Sequence, residues 1–238
     1  MSFKSACRTA LDFLWPLICS HCREDLKEGE LGALCGKCRL KIQSLEPPFC
    51  LRCADTISSS RVRCSTCSHS LFSCRLIRSA FLYQGSISSW VQAFKYRGRF
   101  PAAEEAGRLM GRFWSRFPEL GVPAALVSVP LHLRRENWRG YNQATVIAKA
   151  LGREIGIPVL EPISRVRATK PQWSLGKSRR AQNILGAFRV TRAGDVFEKN
   201  LVLIDDVCTT GASIEACARE LMRAGARSVC AYVFAREV

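Results

Sequence analysis

Leu201-Val-Leu-Ile-Asp205-Asp206-Val-Cys-Thr209-Thr210-Gly211-Ala212-Ser213 is the stretch that decides the fold. Four apolar residues in a row lack the alternation of a half-exposed strand. They suit a strand buried on both faces of a parallel sheet. Two carboxylates close the run, a loop of hydroxyls and one glycine follows, and a helix over 213–224 stops at Gly225. Each part has a chemical use. Backbone N–H groups at a helix N-terminus bind phosphate, and the helix dipole favours the negative charge. Gly211 lets the loop wrap closely around an anion, and Thr209, Thr210 and Ser213 add hydroxyl donors. Asp205 and Asp206 repel phosphate, but they suit sugar hydroxyls or the hydration shell of a phosphate-bound Mg²⁺. One carboxylate is enough to cap the following helix; two, placed after four apolar residues, exceed what a cap needs. Open α/β sheets place their ligands at this end of a strand.

Working outward, strand-like and helix-like stretches alternate from Leu76 onward, as in an α/β domain. The pattern predicts strands over 76–83, 125–129, 201–205 and 228–234. It predicts helices over 86–96, 101–117, 141–155 and 213–224. Between about 162 and 194 runs a long polar stretch with few regular signals, and such loops are usually functional. It holds no acid from Pro162 to Gly194, yet carries Arg165, Arg167, Lys170, Lys177, Arg179, Arg180, Arg189 and Arg192. That charge fits closure over a polyphosphate or a nucleic-acid backbone. Trp138 and Trp173 sit among basic residues, where they are either base-stacking surface or core.

Upstream of residue 76 the texture is different. Residues 2–14 carry apolar side chains at helical spacing. From about 17 to 75 the chain is turn-rich and holds four Cys-x-x-Cys pairs: Cys19/Cys22, Cys35/Cys38, Cys50/Cys53 and Cys64/Cys67. Two-residue spacing lets both thiolates of a tight knuckle reach one ion, and zinc takes four such ligands in a tetrahedron. The second half repeats the first at an offset of about thirty residues, which suggests two related ribbons. Sequential sharing (Cys19, Cys22, Cys35, Cys38, then Cys50, Cys53, Cys64, Cys67) is the first reading, with interlocked sharing left open. His21 and His69 read as solvated loop residues. Cys7 and Cys74 have no partner spacing and read as packed or as bystanders.

The organisation expected is a cysteine-rich module over 1–75 and an α/β domain over 76–238. Of the 13 cysteines, ten lie in the first 74 residues, an uneven spread that argues against a disulfide-stapled secreted domain. Neither a cleavable leader nor an apolar run of membrane-spanning length is evident, so a reducing cytoplasm is the expected compartment. The chain has 36 Lys and Arg against 20 Asp and Glu, a net charge of +16, which favours polyanionic partners. Gly176-Lys-Ser178 mimics the end of a Walker motif, but Pro171 stands where its first glycine belongs. No Gly-x-Gly-x-x-Gly occurs, so a Rossmann dinucleotide site is not indicated.

The thirteen residues from Leu201 resemble the phosphoribosyl-pyrophosphate (PRPP) motif of type I phosphoribosyltransferases. Phe94-Lys-Tyr-Arg-Gly98, Val129-Pro-Leu131, Arg139-Gly-Tyr-Asn-Gln143, and Arg167 through Thr169, Gln172, Leu175, Arg179, Asn183 and Phe188 narrow the match. With the cysteine pairs, they resemble the ComF/GntX family over essentially the whole chain. That resemblance implies a type I phosphoribosyltransferase-like parallel sheet flanked by helices, preceded by a small double zinc-ribbon module. It implies that Asp205 and Asp206 contact the ribose hydroxyls and that Thr209, Thr210, Gly211, Ala212 and Ser213 hold the 5′-phosphate. The pyrophosphate loop would lie at Val129–Arg135, with Arg134, Arg135 and Arg139 supplying positive charge. Implied cofactors are structural zinc and Mg²⁺ with PRPP. Implied partners are PRPP or a nucleotide, incoming single-stranded DNA and the DNA-uptake machinery. Two functions stay open: a binding protein that handles DNA, and a transferase that displaces pyrophosphate from PRPP. A zinc-ribbon adaptor with a vestigial site is disfavoured, because the motif is intact. Asn142 reads as a helix N-cap, and His132 lacks the partners of a catalyst.

Overall fold

The computed structural model describes residues 18–26, 33–58, 62–69, 72–167, 184 and 186–237. The helix expected over 2–14, Cys7, Trp173 and most of the long polar stretch lie outside them. Five strands form one parallel sheet: β1 (Ile77–Leu82), β2 (Ala125–Ser128), β3 (Val159–Leu160), β6 (Asn200–Cys208) and β7 (Ser228–Arg236). Their spatial order is β1-β7-β6-β2-β3. Two short strands, β4 (Ile163–Arg165) and β5 (Phe188–Val190), pair antiparallel beside it.

Successive side chains of a strand face opposite sides, and β6 builds two cores by that rule. Val202 and Ile204 join Tyr232 and Phe234 on one face. There they meet α3 (Gly85–Tyr96), α4 (Phe100–Phe113) and α6 (Gln143–Ile155). Leu201 and Leu203 join Ala231 and Val233 on the other face, against α7 (Ala212–Arg223) and the β4–β5 pair. This double coverage explains why the run at 201–204 is apolar throughout. Helices α4 and α6 touch at backbone distance. A Cβ at Gly107 would sit 2.4 Å from the Ile147 carbonyl oxygen.

The cysteine-rich segment docks against this domain. It contains two one-turn helices, α1 (Gly36–Arg39) and α2 (Ser65–Ser68). Edge strand β1 would otherwise expose unpaired N–H and C=O groups. Residues 43–52 cover them: Leu82 N–H donates to Gln43 O (3.2 Å), Leu45 N–H to Ala80 O (3.4 Å) and Ile77 N–H to Arg52 O (2.6 Å). Cys19, Leu34, Cys35 and Cys38 share one buried cluster with Trp90, Phe81 and Phe234. Arg39 lies 5.6 Å from the Trp90 ring centre and pairs with Glu105 of α4.

The sheet, its flanking helices and the cysteine module in front of them are the architecture expected. Four local expectations change. Helix α4 stops at Phe113 rather than at 117 and is followed by 3-10 turns over 114–116 and 118–120. Strand β6 runs to Cys208 rather than ending at Asp205, because Val207 and Cys208 still pair with Ala235 and Arg236. The segment 129–135, expected as the pyrophosphate loop, runs into a helix, α5 (Leu133–Arg139). The polar stretch at 162–194 carries β4 and β5 at its ends.

Candidate functional site

Asp205 and Asp206 lie near the carboxyl end of β6, a central strand. Asp206 is 3% exposed and faces α3, where Lys95 Nζ stands 2.9 Å from its Oδ1. Burial works against the Lys95 charge, but Asp206 outweighs it and raises the ammonium above its ordinary value. The other oxygen, Asp206 Oδ2, is buried and has no hydrogen-bond partner among the described residues. Asp205 Oδ1 accepts the Asp206 N–H at 2.8 Å. Burial, then the neighbouring Asp206 charge, pushes Asp205 up to about 7, against opposition from Lys95 and Arg165.

Beyond Cys208 the chain turns through Thr209 and Thr210 into Gly211, at φ +75°, the N-cap of α7. Only glycine adopts that conformation cheaply. A Cβ there would also press Ile77 Cδ1 at 3.3 Å. Thr210 Oγ1 accepts the Ala212 N–H at 3.4 Å, so this hydroxyl shapes the turn. Ala212 and Ser213 form the first turn of α7.

Helix α5 brings the arginines. His132 caps it, its Nδ1 accepting the Arg134 N–H at 3.2 Å, which gives that histidine a structural task. Asn142 caps α6 by accepting the Ala144 N–H, and it donates to Val129 O at 3.1 Å. Among the described residues, no carboxylate pairs with Arg134, Arg135 or Arg139. Burial, then the Arg135 charge, lowers Arg165, which Asp205 in turn supports. Burial raises Tyr141, with Arg139 opposing and Asp206 adding to the rise. Arg135 and Arg139 thus act on groups that also feel the aspartate pair. Arg134 is exposed, with no such link. Trp138 is 70% exposed, its ring 6.4 Å from that of Tyr96 (61% exposed), and Arg139 lies 5.6 Å from the Tyr96 ring centre.

The eight knuckle cysteines converge in two groups, Cys19/Cys22/Cys35/Cys38 and Cys50/Cys53/Cys64/Cys67. Within each, the sulfur atoms all lie within 4.8 Å of one another. This is the sequential arrangement. Burial raises Cys19, but N–H groups of Cys35, Cys22 and His21 prevail and bring it to about 6. In the second group burial likewise raises Cys50, yet N–H groups of Cys53, Cys64 and Arg52 bring it to about 7. Burial and neighbouring sulfurs push Cys38 to about 12. Four crowded thiols with one readily ionised member fit a thiophilic divalent cation, which stabilises all four as thiolates. His21 and His69 are exposed, and Cys74 is buried with its Sγ donating to Leu76 O at 3.3 Å.

Sequence reasoning missed two residues here. Lys95 lies within Phe94–Gly98, a segment that carries the family resemblance, but its pairing with Asp206 is not legible there, because that partner lies far along the chain. Arg236, whose Nη1 lies 3.0 Å from Cys208 Sγ, reads in sequence as an ordinary terminal charge. A charged residue after an apolar strand was the only hint.

A family model described as a double zinc ribbon domain matches residues 10–70. Together with the two clusters, it supports structural zinc. Similarity extends well beyond that module. The chain is 30% identical to competence protein F of Haemophilus influenzae over 223 residues, 92% of this chain and 96% of that one. It is 28% identical to DNA utilization protein YhgH of Escherichia coli, over 93% of this chain and 97% of the other. Among solved structures, glutamine PRPP amidotransferase from B. subtilis matches 57% of this chain and 26% of its own, with 17% identity and a TM-score of 0.40. Because the likeness to the Haemophilus protein runs through ribbons, sheet and aspartate loop alike, the chain belongs to the competence protein F (ComF) family.

Proposed function

We propose that the protein binds PRPP or a related phosphosugar or nucleotide at the end of β6, and that its basic rim handles incoming single-stranded DNA. One observation carries the first half. Two adjacent aspartates, one paired with a partly buried lysine, stand at the strand end that leads through Thr209 and Thr210 into a glycine turn and a helix N-terminus. In this reading Asp205 and Asp206 take the ribose hydroxyls, and residues 209–213 take the 5′-phosphate through N–H and hydroxyl donors. Arg134, Arg135 and Arg139, without carboxylate partners among the described residues, answer the pyrophosphate charge.

Mg²⁺ accompanies PRPP in this reading. The donor set fits it: two adjacent carboxylates supply oxygen donors, and one buried carboxylate oxygen of Asp206 has no hydrogen-bond partner among the described residues. Hard oxygen donors that leave room for water suit this ion. When bound, it neutralises phosphate charge. The protein's own task is to hold the sugar and keep the pyrophosphate among arginines.

The names of the relatives, competence protein and DNA utilization protein, favour the DNA half. Trp138 and Tyr96 offer exposed rings beside Arg139, which has no carboxylate partner among the described residues. Bases stack on such rings while phosphates meet the charge. Association with DNA-uptake machinery belongs to the same reading, and a cytoplasmic location is consistent with it. Among the described residues, no helix is long and apolar enough to cross a membrane.

A second reading, an active Mg²⁺-dependent transferase, rests on the same aspartates. There the chain would position PRPP so that an acceptor displaces pyrophosphate, with the arginines stabilising the leaving group. The test uses PRPP and Mg²⁺ with wild type and with Asp205→Asn/Asp206→Asn. Calorimetric binding to wild type alone is expected. Its absence overturns the phosphosugar reading, and acceptor-dependent pyrophosphate release by wild type alone selects the transferase. For DNA, affinity should fall steeply with salt, and a flat response removes the charge-driven model.

A further inference from the structure

The second cysteine cluster touches the aspartate loop through one buried side chain. Arg236, near the end of β7, is 5% exposed. Its Nη1 faces the carbonyl oxygens of Cys208 (3.3 Å) and Thr209, and the Cys208 sulfur at 3.0 Å. Its Nη2 stands 3.4 Å from Asp55 Oδ1. Asp55 belongs to the knuckle of the second cluster: its carbonyl accepts the Cys50 N–H at 2.7 Å, and Cys50 O accepts the Ala54 N–H at 2.9 Å. One guanidinium thus bridges a metal knuckle and two consecutive peptide groups of the loop.

Those peptide groups give the contact a directional consequence. In a trans peptide the C=O and the following N–H share a plane and point opposite ways. Arg236 holds the carbonyl of Thr209 towards itself and shares that of Cys208 with the Glu237 N–H, which donates to it at 3.0 Å. The N–H groups of Thr209 and Thr210 are therefore turned away from it, as donors to an anion. Two further ties fix the same loop. Glu215, in the first turn of α7, accepts the N–H groups of Ser73 (2.7 Å) and Cys74 (3.1 Å), which link the ribbon to β1. Ile77, which packs under Gly211, donates its N–H to the carbonyl of Arg52, between Cys50 and Cys53.

We propose that Arg236 and Asp55 are positioning residues through which the second four-cysteine cluster aims the amides of the 208–213 loop, so that metal occupancy and phosphosugar binding are linked. The binding half rests on the phosphosugar reading above; the mechanical half does not. Linkage is reciprocal, so a ligand that needs the aimed loop also retains the metal.

The experiment uses the full zinc-loaded chain as wild type, Asp55→Asn, Arg236→Lys and Arg236→Met. Hydrogen exchange of residues 208–213, without ligand, reports the mechanical half. Asp55→Asn, milder because Asp55 is partly exposed, keeps its zinc content and exchanges about tenfold faster, the scale of one charge-assisted hydrogen bond. Arg236→Met exchanges faster still, and Arg236→Lys recovers part of the protection. Stripping zinc with a chelator speeds loop exchange in wild type and adds little in Arg236→Met. With PRPP and Mg²⁺, Asp55→Asn loses about tenfold in affinity, and PRPP slows zinc loss from wild type but not from Arg236→Met. Loop exchange unchanged in Asp55→Asn, or equal chelator sensitivity in wild type and Arg236→Met, overturns the proposal. If wild type fails to bind PRPP while the exchange results hold, the phosphosugar reading falls and the mechanical coupling stands.

Discussion

Asp205 changes its protonation in the neutral range. Its unfolded value lies near 3.8, and burial beside Asp206 raises the folded value to about 7. The folded state therefore holds a proton that the unfolded state has released. The resulting stability is complete below about pH 4 and is lost as pH rises through about 7. Asp205→Asn removes the titration. Its melting temperature should therefore stay level across that window while the wild type declines, leaving the variant relatively more stable at about pH 8. Parallel melting curves against pH would show that Asp205 is not the group responsible. At this scale the sequence names both aspartates, since an acid pair after an apolar run stands out. It is silent on the partner of Lys95 and on the role of Arg236. Both acquire meaning only from partners that folding brings across the sheet, Asp206 for one and Asp55 for the other.

Elements show the same division between local and distant causes. Helices α3 and α4 begin within a residue of the expected positions, because their apolar spacing is local. Strand β6 overruns its apolar core by four residues, because pairing with β7 extends it. Strands β4 and β5 have three residues each, too few to show a period. Helix α5 hides in a basic segment whose residues are all at least partly exposed, so no apolar stripe marks it. Gly107 shows how closely helix packing depends on a single small residue. Any side chain there meets backbone, the Ile147 carbonyl, rather than a rotamer that can swing aside. Gly107→Val should force α4 and α6 apart and cost about 1–3 kcal/mol, read as a lower denaturant midpoint. Gly98→Ala gives the steric contrast, because a Cβ there meets nothing within 4 Å and the variant bears only the backbone strain of φ +64°. A Gly107→Val midpoint equal to that of wild type would mean the helices do not approach as described.

For the whole molecule, the sequence shows a change of texture at residue 76 but not how the two textures meet. Their contact is extensive. The cysteine segment pairs with the open edge of β1, places Leu34 and three knuckle cysteines in the core around Trp90, and sets Arg39 over that ring. A ribbon module has little apolar burial of its own and takes its stability from metal. Losing the metal therefore removes a cover from the sheet as well as a fold from the ribbons. Chelation should lower the unfolding midpoint reported by tryptophan fluorescence, with Trp90 fully buried in the native state, and not only a signal local to the ribbons. The transition should remain single, because both parts share one apolar cluster. A metal-free protein whose tryptophan transition matched that of the zinc form would show that the sheet stands without its cover. The docking described here would then contribute nothing measurable to stability.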